Sequence, residues 1–149
     1  MRHYDCLKAL SGEIKDALVI SSAGAMTLEW HSLRPSDGNF RVRTLGLCSS
    51  IALGMALGLP QRKIIALDGD GSLLMNLCSL PTIARMQPNN LVHIVFDNEV
   101  YEASASKPTA TGAGTDLAAY FWRWRHGAHT VATMRHPSDR KSTRLNSSH

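Results

Sequence analysis

The chain has 149 residues, of which 44% are hydrophobic and 19% charged, and its formal net charge is +4. This length is enough for one domain with a real core and too short for two domains of ordinary size. No apolar run has transmembrane length and no signal-peptide pattern opens the chain, so a membrane protein and a secreted protein are both unexpected. Three cysteines without metal-type spacing indicate reduced thiols in a cytoplasmic protein.

The N-terminal third is predicted to alternate between helices and strands. Residues 5–17 have the apolar stripe of an amphipathic helix, and the apolar run 17–22 predicts the first strand. A short helix is expected over 27–33 and a brief strand over 40–42. The segment 45–59 is rich in Gly, Ala, Ser and Leu, which predicts a buried helix that packs closely on its neighbours.

The middle of the chain contains two short apolar runs that each end in polar residues. The first run opens the segment 63–72 and the second opens 91–101, and both are typical of buried parallel strands. The interval 73–87 is long enough for a crossover helix. Because parallel strands place their carboxyl ends at one edge of a sheet, Asp70 and Asn98 are expected to face a single site.

The residue types at this edge indicate a phosphate and a hard cation. Gly69 and Gly71 permit tight backbone geometry, and Ser72 is placed to cap a helix whose free N–H groups suit phosphate. A carboxylate at Asp70 with an amide oxygen at Asn98 suits Mg²⁺, which completes its shell with water and phosphate oxygens. For either half alone, a plain turn or a strand-closing Asn is the simpler interpretation; the two together favour a Mg²⁺-bridged diphosphate.

The sequence Gly69-Asp70-Gly71-Ser72, followed at this interval by Asp97-Asn98, resembles the thiamine-diphosphate motif of thiamine-dependent enzymes. With the segments 43–54, 74–77 and 97–101, it is most similar to the β subunit of sulfopyruvate decarboxylase and to the matching domain of phosphonopyruvate decarboxylase. The similarity extends to about Leu117. It implies an α/β fold, a three-layer, doubly wound and mostly parallel sheet, which is truncated here at its C-terminus.

The resemblance also implies a set of residues that bind thiamine diphosphate and Mg²⁺. The implied cofactor-binding residues are Leu45, Gly69, Asp70, Gly71, Ser72, Asn98 and Val100. Asp70, Asn98 and the backbone carbonyl of Val100 would ligate the metal, and Leu45 would support the bent thiamine. The resemblance also implies that the backbone carbonyl of Arg43 contacts the amino group of the cofactor, at a position where the family usually has Gly. Lys107 lies in a loop expected to be flexible over 104–114, and His93 is expected to be a satisfied core or edge histidine rather than a ligand.

The family further implies that this chain is one half of an enzyme. Activation of thiamine needs a Glu that the family carries on a separate pyrimidine-binding domain, for which this chain has no room. Four glutamates of this chain lie outside that domain's motif: Glu13, Glu29, Glu99 and Glu102. The chain is therefore expected to form a cytoplasmic hetero-oligomer with a pyrimidine-binding α subunit and to be inactive alone. The expected substrate is a small anionic 2-oxo acid, and neither nucleic acid nor a membrane is an expected partner. No catalytic residue is assigned to this chain.

The C-terminal residues have a separate origin in this interpretation. Residues 139–149 resemble the translation of a sequencing adapter, are expected to be disordered, and would replace the true C-terminus, which leaves a domain over 1–138. They contribute +2 to the net charge, so the rest of the chain carries +2. Trp122-Arg123-Trp124-Arg125 alternates aromatic and basic residues, as in some nucleic-acid-binding segments. A one-base frame error over 120–138 is the preferred explanation, because the shifted codons restore the family's small residues.

Three alternatives stay open at the level of sequence. The chain could belong to a thiamine enzyme of the acetolactate-synthase type, which shares the Gly-Asp-Gly motif. It could be a non-catalytic α/β module that binds a nucleotide diphosphate without a partner. It could also be a fragment that does not fold stably. The sequence does not choose between sulfopyruvate and phosphonopyruvate, nor does it set the subunit stoichiometry.

Overall fold

The computed structural model describes residues 3–123 and 131–135, without the side chains of residues 103, 121–123 and 131–135. Its helices are α1 (His3–Glu13), α2 (Ala25–Leu33), α3 (Cys48–Gly58), α4 (Asp70–Leu74), α5 (Ser79–Met86) and α6 (Leu117–Arg123). Its strands are β1 (Leu18–Ser21), β2 (Asn39–Arg41), β3 (Ile64–Gly69), β4 (Leu91–Asp97), β5 (Val100–Tyr101), β6 (Lys107–Pro108) and β7 (Val131–Arg135). None of the helices in this described part is long and apolar enough to cross a membrane.

Five of these strands form one parallel sheet in the order β2-β1-β3-β4-β7. The register pairs Ile64 of β3 with Leu91 of β4, and Gly69 with Phe96 at the other end. Strands β5 and β6 form a separate antiparallel pair. The mostly parallel α/β architecture predicted from the sequence is confirmed.

Helices cover both faces of the sheet, which explains the continuous apolar character of the central strands. Successive residues of β3 point to opposite sides: Ile64 and Ala66 pack beneath α3, α4 and α5, while Ile65 and Leu67 pack beneath α1 and α2. Trp30 of α2 is fully buried in the second core, and its indole N–H donates to Asn39 Oδ1 at 3.0 Å. The result is the expected three-layer sandwich.

The strand order places a crevice at one edge of the sheet. From β1 the chain passes through α2 to β2 on one side, and then through α3 to β3 on the other side of β1. The direction of winding therefore reverses between β1 and β3. In open α/β sheets, ligands bind at such a point, outside the carboxyl ends of the strands.

The prediction of one continuous crossover helix over 73–87 is wrong, because the structure contains two shorter helices there, α4 and α5. The break contains Asn76, whose Nδ2 donates to Gly46 O at 2.7 Å and to Ser50 Oγ at 3.0 Å. These tertiary bonds hold the chain in a turn between the two helices. Pro81 lies in the first turn of α5, where its missing N–H is not needed.

Other boundaries differ modestly from the predictions. Helix α1 ends at Glu13 rather than at residue 17, and α2 begins two residues earlier than expected. Asp116, and not Thr115, caps α6, because its Oδ1 accepts from Ala119 N–H at 3.2 Å. The loop expected over 104–114 contains β6 and two buried threonines.

Two predictions fall largely on residues that the structure does not describe. The adapter-derived tail over 139–149 lies wholly outside the described residues. The frame error over 120–138 lies partly outside them, and within that interval the backbone of β7 pairs in parallel with β4. Both stay predictions.

Candidate functional site

A cleft opens at the carboxyl ends of β1, β3 and β4, where the winding of the sheet reverses. Its empty space is about 520 Å³, including the mouth that opens to solvent. The residues predicted from the sequence to bind the cofactor all line it: Leu45, Gly69, Asp70, Gly71, Ser72, Asn98 and Val100. The structure therefore brings Asp70 and Asn98 to one cleft, as the parallel-strand argument required. Their roles toward a cofactor or cation stay predictions.

Asp70 is the first residue of α4 and is buried, with 2% of its surface exposed. Its Oδ2 accepts hydrogen bonds from Thr109 Oγ1 at 2.6 Å and from Thr111 Oγ1 at 2.9 Å. A buried carboxylate is costly unless hydrogen bonds replace its lost water. Neither threonine was predicted from the sequence, because both lie in a loop without an apolar pattern.

Asn98, which follows β4, is exposed, and its side chain is held by residues close to it in the chain. Its Oδ1 accepts from Val100 N–H at 3.1 Å, and its Nδ2 donates to Glu102 Oε1 at 2.8 Å. Glu99, between Asn98 and Val100, has a φ of 65° in the left-handed region. The Asn side chain thus closes a local turn onto the backbone two residues later, which sets the direction of β5.

Gly71 is needed because the ring of Tyr101 packs directly on its Cα. A Cβ at Gly71 would overlap Cδ1 and Cε1 of Tyr101 and would lie 3.1 Å from Thr109 Cγ2. A Cβ at Gly69 would meet no atom within 4 Å. The two glycines of the motif therefore differ: one leaves open space at the cleft, and the other permits the hairpin to dock.

Ser72 does not cap α4, so that prediction is wrong. The N-cap position is Gly69, without a side-chain cap, and Ser72 Oγ instead accepts from Gly46 N–H at 3.1 Å. Gly46 has a φ of 83°, and a Cβ there would lie 3.3 Å from Met75 Cβ. Ser72 thereby fixes the turn that presents half-buried Leu45 to the cleft, whereas Arg43 is exposed.

Small residues after β1 and two aromatic rings also line the cleft. Residues 22–25 line the cleft, and Gly24 has a φ of 134° at the start of α2. His3 and Phe96 also line it, with their ring centroids 4.6 Å apart in an edge-to-face contact. His3 Nδ1 lies 3.2 Å from Glu29 Oε2. No sequence pattern indicated His3, which reaches the cleft only through the packing of α1.

Asp68 of β3, His93 of β4 and Cys48 of α3 are buried within the sheet and the helix that covers it. Asp68 Oδ2 lies 3.5 Å from His93 Nε2, and Asp68 Oδ1 accepts from Gly69 N–H at 3.0 Å. His93 is buried, as expected for a core histidine. The pKa of the Cys48 thiol is raised well above its ordinary value, mainly by burial and to a smaller extent by the nearby charge of Asp68. Cys48 is therefore a neutral core residue, with its Sγ 3.4 Å from Leu67 O.

The donors around the cleft suit a hard cation. Asp70 contributes a carboxylate and Asn98 an amide oxygen to the lining, and both groups are hard oxygen donors. Among the described residues, no three His, Cys, Asp or Glu side chains converge. A cation at this position would therefore depend on amide and main-chain oxygens, and on ligand oxygens, besides Asp70.

Most of the chain matches one known protein family. Residues 24–139 match the family described as thiamine pyrophosphate enzyme, C-terminal TPP binding domain. The chain is 37% identical over 110 residues to the sulfopyruvate decarboxylase subunit beta of Methanothermobacter thermautotrophicus, covering 73% of this chain and 59% of that protein. It is 39% identical over 115 residues to the phosphonopyruvate decarboxylase of Streptomyces viridochromogenes, covering 76% of this chain and 28% of that protein.

A solved structure shares the fold at much lower identity. The benzoylformate decarboxylase from Polynucleobacter necessarius aligns with a TM-score of 0.62 and 16% identity, over 91% of this chain and 33% of that chain. The chain spans about three fifths of the length of the sulfopyruvate decarboxylase subunit beta and less than a third of the length of the phosphonopyruvate decarboxylase.

Proposed function

The chain belongs to the C-terminal TPP-binding domain family of thiamine pyrophosphate enzymes, and we propose that it is the diphosphate- and Mg²⁺-binding half of a thiamine-dependent 2-oxo acid decarboxylase. Sulfopyruvate or phosphonopyruvate is the proposed substrate, because decarboxylases of these two acids are the relatives at 37–39% identity. The similarity to benzoylformate decarboxylase supports only the fold of the chain.

One observation carries the proposal: a single cleft collects residues that lie far apart in the chain. Leu45, Asp70 and Asn98 come from three different segments and all line it. The cleft also lies where the winding of the sheet reverses, the general position of ligands in open α/β folds.

The residues present fit Mg²⁺ and a diphosphate by their chemistry. Asp70, Asn98 and the Val100 carbonyl would hold the cation with hard oxygen atoms. The backbone of Gly69 and Gly71 would approach the phosphate oxygens, and Leu45 would support the thiamine rings. Bound thiamine diphosphate would supply the carbon nucleophile and the electron sink that decarboxylation of a 2-oxo acid requires. The chain's own part is to bind, orient and neutralise the charge of the diphosphate.

The activating carboxylate is proposed to come from a partner subunit. Among the described residues that line the cleft, the carboxylates are Asp70 and Glu102. Asp70 accepts from two threonines, and Glu102 accepts from Asn98. The proposal assigns Asp70 and Asn98 to the cation, and it therefore takes the activating carboxylate from outside this chain. A pyrimidine-binding α subunit would complete the site, and the relative named as a subunit beta is consistent with a hetero-oligomer.

Binding by the full chain gives the first test. Because a ligand that binds only the folded state raises its melting temperature, thiamine diphosphate with Mg²⁺ is expected to stabilise the chain in a thermal-shift assay. ADP with Mg²⁺ serves as the control for a nucleotide-binding module. Stabilisation by ADP and not by thiamine diphosphate would contradict the proposal.

Turnover gives the second test. The chain is expected to be inactive alone and to decarboxylate sulfopyruvate or phosphonopyruvate, in preference to pyruvate, when it is combined with a pyrimidine-binding α subunit. Carbon dioxide release measured with the three acids separates the substrates. Robust turnover by the chain alone would refute the half-site argument.

A further inference from the structure

The carboxylate of Asp70 belongs to a small buried network with two threonine hydroxyls. Asp70, Thr109 and Thr111 are 2%, 3% and 5% exposed. The two hydroxyl oxygens lie 2.6 and 2.9 Å from the same carboxylate oxygen, Oδ2, and 2.7 Å from each other. The threonines follow Asp70 by 39 and 41 residues, so the network is a tertiary contact.

Proton counting shows which way the hydroxyls point. Each threonine has one O–H hydrogen, so two hydrogens serve three short oxygen contacts. An ionised carboxylate only accepts, and a charge-assisted bond is about twice as strong as a neutral one. With Asp70 ionised, both hydroxyls therefore donate to Oδ2. This arrangement fixes the rotation of the carboxylate and commits one oxygen to the protein.

The same threonines join Asp70 to the strand that carries Val100. Thr109 N–H donates to Glu99 O at 2.8 Å, and Val100 pairs with Pro108 across the hairpin. The ring of Tyr101, the next residue, packs on Gly71 beside Asp70. The hairpin is thus docked on the start of α4 by its threonine hydroxyls and by one aromatic ring.

We propose that Thr109 and Thr111 are positioning residues of the cation site. They fix the Asp70 carboxylate and hold the Val100 carbonyl at a distance from it that lets both groups bind one cation. This inference rests on the proposed function, because it assigns Asp70 and Val100 to one divalent cation. Residues that orient a metal ligand from outside the coordination sphere typically change metal affinity when they are removed.

The test measures Mg²⁺ affinity in the presence of saturating thiamine diphosphate, by calorimetric titration of the full chain. Thr109→Val and Thr111→Val remove the hydroxyls at nearly constant volume. We expect each to raise the Kd for Mg²⁺, and the double variant to raise it by about 10-fold or more. Thr109→Ser keeps the hydroxyl and is expected to restore an affinity close to that of the wild type.

Thr115→Val is the matched control, because Thr115 lies four residues after Thr111 and is not one of the two threonines that donate to Asp70 in the described structure. It is expected to leave the Kd unchanged. An unchanged Kd in the folded double variant would overturn the inference. A wild-type chain that binds neither Mg²⁺ nor thiamine diphosphate would instead overturn the proposed function, which distinguishes the two failures.

Hydrogen exchange of the wild-type chain keeps the inference testable if the valine variants do not fold. The inference predicts that Mg²⁺ with thiamine diphosphate slows amide exchange at Val100 and Thr109, because the cation ties the hairpin to α4. Exchange at Ala119 in α6 is the internal reference. Binding of the cation without added protection in the hairpin would contradict the inference.

Discussion

The two sides of the cleft are built in different ways. Asp70, on the β3 side, is buried and fixed by hydroxyls that come from about 40 residues further along the chain. Asn98, on the β4 side, is exposed, and its hydrogen bonds go to residues two and four positions away. One side therefore depends on the tertiary fold, while the other forms its own turn. Substitutions on the two sides should accordingly have different consequences for binding and for stability.

The largest effect is expected for Asp70→Asn. The variant removes the charge that would hold the divalent cation, and the loss of Mg²⁺ affinity should exceed the roughly 10–100-fold typical of an outer-shell partner. Its amide oxygen can still accept from Thr109 and Thr111, so the far-UV circular dichroism should not change. Retained Mg²⁺ affinity in a folded D70N chain would contradict the assignment of this residue.

Asn98→Ala should have a smaller effect on binding than D70N and little effect on stability. It removes a neutral ligand and the local bond to Val100 N–H, and we expect a loss of Mg²⁺ affinity of about 10-fold. The change in melting temperature should be small, because the side chain is exposed. Titration and thermal unfolding of the same sample separate the two quantities. A larger loss of binding than in D70N would invert the comparison.

The two motif glycines test how the hairpin docks. Gly71→Ala places a Cβ against Tyr101, and overpacking of this kind costs about 1–3 kcal/mol. Gly69→Ala is the matched control, since its Cβ meets no atom within 4 Å and its φ of −97° suits any residue. Its free energy of unfolding should stay within about 0.5 kcal/mol of the wild type. Equal denaturant midpoints for the two variants would contradict the docking of Tyr101 on Gly71.

The smallest effects concern the cysteines. Cys78 is exposed, whereas Cys6 and Cys48 are buried with a raised pKa, so a thiol reagent should label only Cys78 in the folded chain. Above the ordinary pKa of 9.0, an unfolded chain releases the Cys48 proton and the folded chain retains it. The free energy of unfolding should therefore fall as the pH rises above about 9. Cys48→Ala should flatten that slope, and rapid labelling of Cys48 in the native chain would contradict its burial.

The sheet was predictable because local patterns specify it. The apolar runs before Gly69 and Asn98 are buried on both faces, so their composition alone identifies β3 and β4. Because both strands are parallel, the position of Asp70 and Asn98 at one edge followed directly. The family resemblance then supplied Leu45 and Val100, which also line the cleft.

Contacts between distant segments were not predictable from such patterns. Ser72 has the residue type of a helix cap, yet its hydroxyl accepts from Gly46 N–H, 26 residues earlier. Asn76 interrupts the expected crossover helix because its side chain reaches the same turn. Thr109 and Thr111 lie in a Ser/Thr-rich stretch whose composition is typical of a flexible loop. Their burial depends on Asp70, which only the folded chain brings near them.

The most direct test of the central claim is a crystal structure of the chain with thiamine diphosphate and Mg²⁺. We expect one cation within about 2.1 Å of oxygen atoms of Asp70, Asn98 and the Val100 backbone, with diphosphate oxygens completing its shell. A cation bound elsewhere, or one that contacts Asp70 while Asn98 and Val100 remain distant, would contradict the account.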